Sequence, residues 1–114
     1  MVADRENSRI QLFDTNGNYL EQWNDVIRPT GISFDSDCNV YISELAMRVS
    51  IFSPDGVLLG RWGNTTADRD SAMFHAPHTI ALDSRGDILV GDVAFTHARV
   101  DRGANTIRKF RRVR

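Results

Sequence analysis

The chain has 114 residues, 41% of them hydrophobic and 25% charged, with a formal net charge of −1. That length suits one ordinary domain, the composition is that of a globular chain, and the charge sets up no global field for nucleic acid or an anionic membrane. No apolar run approaches the roughly 20 residues of a membrane span, and the single cysteine, Cys38, excludes an internal disulfide framework while leaving the compartment open.

The first stretch, VADRENSRIQLFD, divides into an apolar start at Val2 and Ala3, a polar tetrad from Arg5 to Ser8, and then Ile10, Leu12 and Phe13. That pattern predicts a strand, a charged turn and a second strand. Asn16-Gly17-Asn18 is a turn, and a further strand ends at Trp23. Four alternating runs follow: Gly31 to Asp35, Val40 to Ser43, Val49 to Phe52 and Val57 to Trp62. Asp37-Cys38-Asn39 turns between the first two, and Pro54-Asp55-Gly56 between the last two, where glycine supplies the positive φ of a tight turn. Beyond an inserted stretch from Gly63 to Phe74 come Thr79 to Asp83 and Asp87 to Gly91, joined by a tight turn at Arg85-Gly86-Asp87. A second insertion, Val93 to Asn105, leads to Thr106 to Arg111. About ten strands are predicted, each of roughly 4–6 residues, and no stretch sustains helical periodicity.

These elements repeat. RPTGISFDSDCNVYISE aligns without a gap on APHTIALDSRGDILVGD, matching Pro29 with Pro77, Ile32 with Ile80, Asp35 with Asp83 and Glu44 with Asp92. RIQLFDTNGNYLEQW aligns on RVSIFSPDGVLLGRW, matching Gly17 with Gly56 and Trp23 with Trp62. The unit is roughly 40 residues, the size of a propeller blade, with four antiparallel strands in its complete copy. The fold class expected is therefore all-β, a β-propeller. Residues 1–24 form a partial blade, 29–62 a whole one and 77–114 another partial one, about two and a half in all. Closure needs roughly four to eight blades. The chain is accordingly expected to be a piece of a propeller, or a protomer that closes by association through exposed blade edges.

The pattern P-x-G-I-x-x-D, N-x-Y-x-x-[DE] and R-I-x-x-F-x-x-x-G resembles NHL repeats over nearly the whole chain. More narrowly, VADRENSRIQLFD and FHAPHTIALDSRGDILVGD are similar to peptidyl-α-hydroxyglycine α-amidating lyases, six-bladed propellers that cleave a peptidyl-α-hydroxyglycine to an amidated peptide and glyoxylate. The closing TIRKFRRV resembles the end of such proteins, which implies a C-terminal piece. In that family three histidines in Pro-His settings hold a zinc ion on the channel axis. The resemblance makes His78, in Ala76-Pro77-His78, one of them, while Thr30 stands at the matching place after Pro29. Thr79 occupies the place of a calcium-binding acidic residue in the family's animal members, so calcium does not carry over. The family's catalytic arginine falls on Arg5, in Asp4-Arg5-Glu6-Asn7. Its tyrosine base and other histidines match nothing in this chain, and are expected upstream of Met1.

Strand alternation supplies an independent expectation. In an up-and-down blade the end of the second strand and the start of the next blade's first strand open on one face. Arg5 follows a second strand and His78 precedes a first strand, so both should lie on that face, together with the two insertions. Arginine's planar fork suits a substrate carboxylate, and a catalytic zinc would take neutral imidazoles and keep one position open.

Plainer readings stand beside these. A lone Pro-His is also an ordinary loop histidine, and Arg5 in a polar turn also pairs with Asp4 or Glu6. His75 lies at odd spacing from His78 in an extended segment, so it points away and reads as a loop residue. His97 reads as solvated. Trp23 and Trp62 read as packing between blades, and Asp35 and Asp83 as turn residues bonding to backbone. Asn64-Thr65-Thr66 has the form of a glycosylation sequon. IRKFRRVR carries five basic residues in eight, a solvated strand or a phosphate contact. The alternative function is a non-catalytic NHL scaffold that binds protein or RNA.

Overall fold

The computed structural model describes residues 1–63, 74–93 and 103–113. They form ten strands in three antiparallel sheets. The first sheet holds β1 (Val2–Asp4), β2 (Arg9–Phe13) and β3 (Tyr19–Trp23). The second holds β4 (Pro29–Phe34), β5 (Val40–Glu44), β6 (Arg48–Phe52) and β7 (Leu58–Gly63). The third holds β8 (Pro77–Leu82), β9 (Ile88–Asp92) and β10 (Ile107–Phe110). Within each sheet the strands lie in sequence order. Three-residue and four-residue 3-10 turns, Arg5–Asn7 and Gly103–Thr106, are the helical elements among the described residues. Most strand limits fall within a residue or two of those expected. Val57 is a correction: it lies outside β7, because its N–H and carbonyl are taken by the Ser53 side chain and N–H, which close the turn.

Four turns share one construction, fixed within five residues of chain. In the turns led by Asp14, Asp35, Ser53 and Asp83, the first N–H reaches the carbonyl four residues on, and its carbonyl accepts the N–H three residues on. The Asp14, Asp35 and Asp83 carboxylates also accept backbone N–H groups two and four residues later. This geometry throws the fourth residue into the left-handed region, where a Cβ is crowded. Gly17, Gly56 and Gly86 take it with φ between +81° and +85°, whereas Cys38 takes it with a side chain at +64°.

The core lies between the sheets. Every residue of β5 is buried, because this strand is covered on both faces. Alternation sends Val40 and Ile42 into a cluster with Ile10, Trp23, Val26 and Phe52, between the first and second sheets. Tyr41 points the other way, into a cluster with Val49, Phe74, Ile80, Ile88 and Val90, between the second and third. The two tryptophans are packing residues, as expected. Trp23 meets Phe52 of the next sheet at 5.5 Å and Trp62 meets Phe110 of the next at 5.7 Å, centroid to centroid.

Candidate functional site

One end of the sheets collects the loops that run from second to third strands and those that lead into the first strands. Pairing of Pro29 with Glu44 and of Pro77 with Asp92 places the start of β4 beside the end of β5, and the start of β8 beside the end of β9. Two hydrogen bonds repeat this union: Leu45 N–H to the Arg28 carbonyl at 2.9 Å, and Val93 N–H to the Ala76 carbonyl at 3.0 Å. The 3-10 turn after β1 joins the same end, since Arg28 N–H donates to Ser8 Oγ at 3.1 Å. Arg5 and His78 therefore share an end of the propeller.

Acidic residues at the ends of the second strands hold these loops. Glu44 is wholly buried and accepts the Ile27 N–H at 2.6 Å and Arg48 Nε at 2.9 Å, while Ser50 Oγ donates to its other oxygen. Asp92, also buried, accepts the N–H groups of His75 and Ala76, each at 2.8 Å. Asp4 takes the equivalent place in the first sheet. Hydrogen bonds from Asn7, then from Arg9 at 2.7 Å, hold its carboxyl below the usual range. Left unmade and buried, such N–H groups would each cost about 1–3 kcal/mol; Glu44 and Asp92 fix the loop backbone instead. Glu44 and Asp92 match in the repeat, yet nothing local marks them as buried.

Arg5 begins the 3-10 turn and donates Nε to Glu6 Oε1 at 2.9 Å. The same Glu6 oxygen accepts Arg28 Nη2 at 3.2 Å, and this bond, ahead of that from Arg5, lowers the Glu6 pKa. The terminal nitrogens of Arg5 have no partner among the described residues, and its side chain is 46% exposed. Such a guanidinium can take a carboxylate on its outer edge.

His78 sits at a β-bulge. Pro77 pairs with Asp92 and Thr79 with Gly91, so His78 is the extra residue between them, and it is exposed. Bulges re-aim a side chain and gather beside functional sites. The bulge is built twice: Thr30 is the extra residue between Pro29 and Gly31. There the hydroxyl is committed, since the one proton of Thr30 Oγ1 is shared between the Ser43 carbonyl at 3.1 Å and the Pro77 carbonyl at 2.9 Å. Thr30 thus ties its sheet to the next, whereas His78 offers an imidazole at the matching place. His75 is a buried bend residue ahead of β8, in the loop where it was expected.

The described residues contain no group of three or more histidine, cysteine or acidic side chains placed to hold a metal ion. A catalytic zinc needs three protein ligands, so these residues do not fit one by themselves, with His78 a single imidazole. His97, the Asn64 sequon and nearly all of both insertions lie outside the described residues.

The sequential four-stranded sheet, flanked by two more that pack face to face with it, defines a β-propeller. Its likeness to a solved structure agrees: a chain described as a streptogramin B lyase structure superposes with a TM-score of 0.62 at 15% identity, covering 97% of this chain and 36% of the other. The present chain thus spans about a third of that neighbour's length. At this identity the likeness shows the fold. No protein-family model matches the chain, and no curated protein matches it.

Proposed function

We propose that this chain supplies part of the active face of a propeller lyase that cleaves peptidyl-α-hydroxyglycine to an amidated peptide and glyoxylate. The observation that carries the reading is the shared end of Arg5 and His78: a guanidinium with its terminal nitrogens open, and an imidazole turned out at a bulge. Arg5 would bind the substrate's carboxylate, the group that leaves within glyoxylate. In the reaction the carbon–nitrogen bond breaks with its electrons going to the amide nitrogen. The hydroxyl oxygen forms the new carbonyl, and its proton ends on that nitrogen. A base is needed for this transfer, and none among the described residues is placed for it. His78 would orient the hydroxyl end. Were the reaction zinc-dependent, the remaining ligands would come from outside the described residues.

The test is glyoxylate release from benzoyl-α-hydroxyglycine by this chain together with the blades that complete its ring, with bound zinc measured in parallel. Arg5→Gln is expected to lower kcat/KM by about 10²-fold, as for loss of a charge-assisted carboxylate contact in a catalytic site. Absence of both zinc and glyoxylate leaves the second reading, a non-catalytic scaffold that binds protein or RNA, with self-association through blade edges beside it. That reading is favoured by open edges and an uncovered ring. β1 pairs only with β2, and β10 only with β9, among the described residues. Phe13 ends β2 as Phe52 and Phe110 end β6 and β10, yet it is 37% exposed. A solution mass of one chain, with cooperative unfolding, would contradict self-association.

A further inference from the structure

The end of the sheets opposite Arg5 and His78 carries a groove of about 800 Å³ lined by Arg85, Asp87, Lys109, Arg111 and Arg112. Arg85 and Asp87 come from the turn between β8 and β9, Lys109 from β10, and Arg111 and Arg112 from the segment after it. A smaller hollow of about 240 Å³ adjoins it and shares Arg85 and Arg112, with Phe34, Leu82 and Ser36 among its other walls. The residues of the two cavities therefore come from sequence positions far apart, brought together by the packing of the second sheet on the third.

The charges here divide into satisfied and unsatisfied groups. Asp83 Oδ1 accepts the Arg85 and Asp87 N–H groups, and its Oδ2 meets Lys109 Nζ at 2.9 Å. Asp87 Oδ1 accepts the Arg112 N–H, and its Oδ2 lies 3.5 Å from Lys109 Nζ. Asp35, on the hollow's rim, is filled by two backbone N–H groups, Asn39 Nδ2 and the Tyr41 hydroxyl. Asp35, Asp83 and Asp87 are thus supplied by protein donors, and Lys109 is spent on two of them. The guanidinium groups of Arg85, Arg111 and Arg112 have no hydrogen-bond or carboxylate partner among the described residues. Gly86 helps to seat one of them: a Cβ there would stand 3.1 Å from Arg112 Cδ and Nη1, so a side chain would crowd it. Phe34, at the end of β4, is 52% exposed beside the hollow.

We infer that this groove binds a phosphate-bearing ligand of the nucleotide class, with its phosphates on Arg85, Arg111 and Arg112 and its base in the hollow against Phe34. Guanidinium forks match phosphate oxygens in pairs, and an exposed aromatic ring stacks on a base without needing a particular one. The site is separate from the Arg5 and His78 end and does not depend on the lyase reading.

The experiment is calorimetric titration of the chain with ATP and, separately, with tripolyphosphate at low salt. Saturable binding of ATP is expected, tighter than tripolyphosphate by about tenfold, as one stacking contact provides. Phe34→Ala should bring ATP down to the tripolyphosphate level. Arg85→Glu and Arg112→Glu should each weaken both ligands by at least about tenfold, and Arg85→Gln, in an exposed turn, gives a milder variant. Circular dichroism and thermal unfolding of every variant separate lost binding from lost fold. No saturable binding, equal affinity for the two ligands, or unchanged binding in folded arginine variants overturns the inference.

Discussion

Trp62 stands edge-on to Phe110, ring centroids 5.7 Å apart and planes inclined by 64°, joining the outer strand of the second sheet to the third strand of the next. Trp23 and Phe52 make the same union one sheet earlier, at 5.5 Å. The pair transmits packing from blade to blade, and the two tryptophans differ in one respect. Trp23 Nε1 reaches Glu21 at 3.4 Å, whereas the buried Trp62 Nε1 has no hydrogen-bond partner among the described residues.

Trp62→Phe is therefore expected to change stability by less than about 1 kcal/mol, because the lost contact area is offset by removing an orphaned donor. Trp62→Ala should cost about 3 kcal/mol, since it empties the seam against Phe110 and Phe74. Chemical denaturation measures both, and equal losses for the two variants would contradict the assignment.

Cys38 carries a side chain at φ +64° where the three sister turns have glycine. Cys38→Gly should stabilise the chain by about 0.5–1 kcal/mol, the left-handed strain relieved less the added freedom of the unfolded chain. Gly86→Ala should do the reverse, and by more, because its Cβ also meets Arg112. Denaturation midpoints of the two variants should move in opposite directions.

Glu44 is the buried anchor of the loop into β4. Glu44→Gln keeps the size but removes the charge facing Arg48, whose side chain is only 14% exposed. A loss of about 3 kcal/mol is expected, as for breaking one side of a buried ion pair. Hydrogen exchange at Ile27, whose N–H the carboxylate holds, should quicken. Unchanged exchange there would count against the anchoring role.

Acid should destabilise the fold. Hydrogen bonds from Asn18 lower the Asp14 pKa, and those from Lys109 lower Asp83. Burial raises Asp35, but the donors from Asn39, Asp37 and Tyr41 outweigh it and the net shift is down. Between folded and unfolded values the unfolded chain binds more protons, so stability rises with pH. The contribution is present above the ordinary carboxyl value of 3.8 and is lost as pH falls through the lower folded values. Tyr41 acts at the other limit: burial first, then its bond to Asp35, raises its pKa. Its contribution is present below 10.0 and lost as pH rises through the folded value. Thermal midpoints should fall at both extremes, and Tyr41→Phe should flatten the alkaline limb.

The sequence alone determined the strands, the turns and their repetition, because each depends on residues within a few positions of one another. Asp35 and Asn39 close their turn whatever surrounds them, and alternation in Val40 to Ser43 is written in the residues. It also marked Arg5 and His78 as belonging to one end, since antiparallel order forces that. Burial and partnership were decided only by tertiary structure. Nothing near Glu44 in sequence says that Ile27 will present its N–H there, 17 residues away. The bulge that turns out His78 arises from pairing with Asp92 and Gly91, and Thr30 in the same bulge is consumed by the Pro77 carbonyl of the next sheet. The basic run after β10 read as a solvated strand or a phosphate contact. Which of its charges are spent depends on Asp83 and Asp87, carboxylates that only the β8–β9 turn brings alongside Lys109, leaving the guanidinium groups of Arg111 and Arg112 without a partner among the described residues.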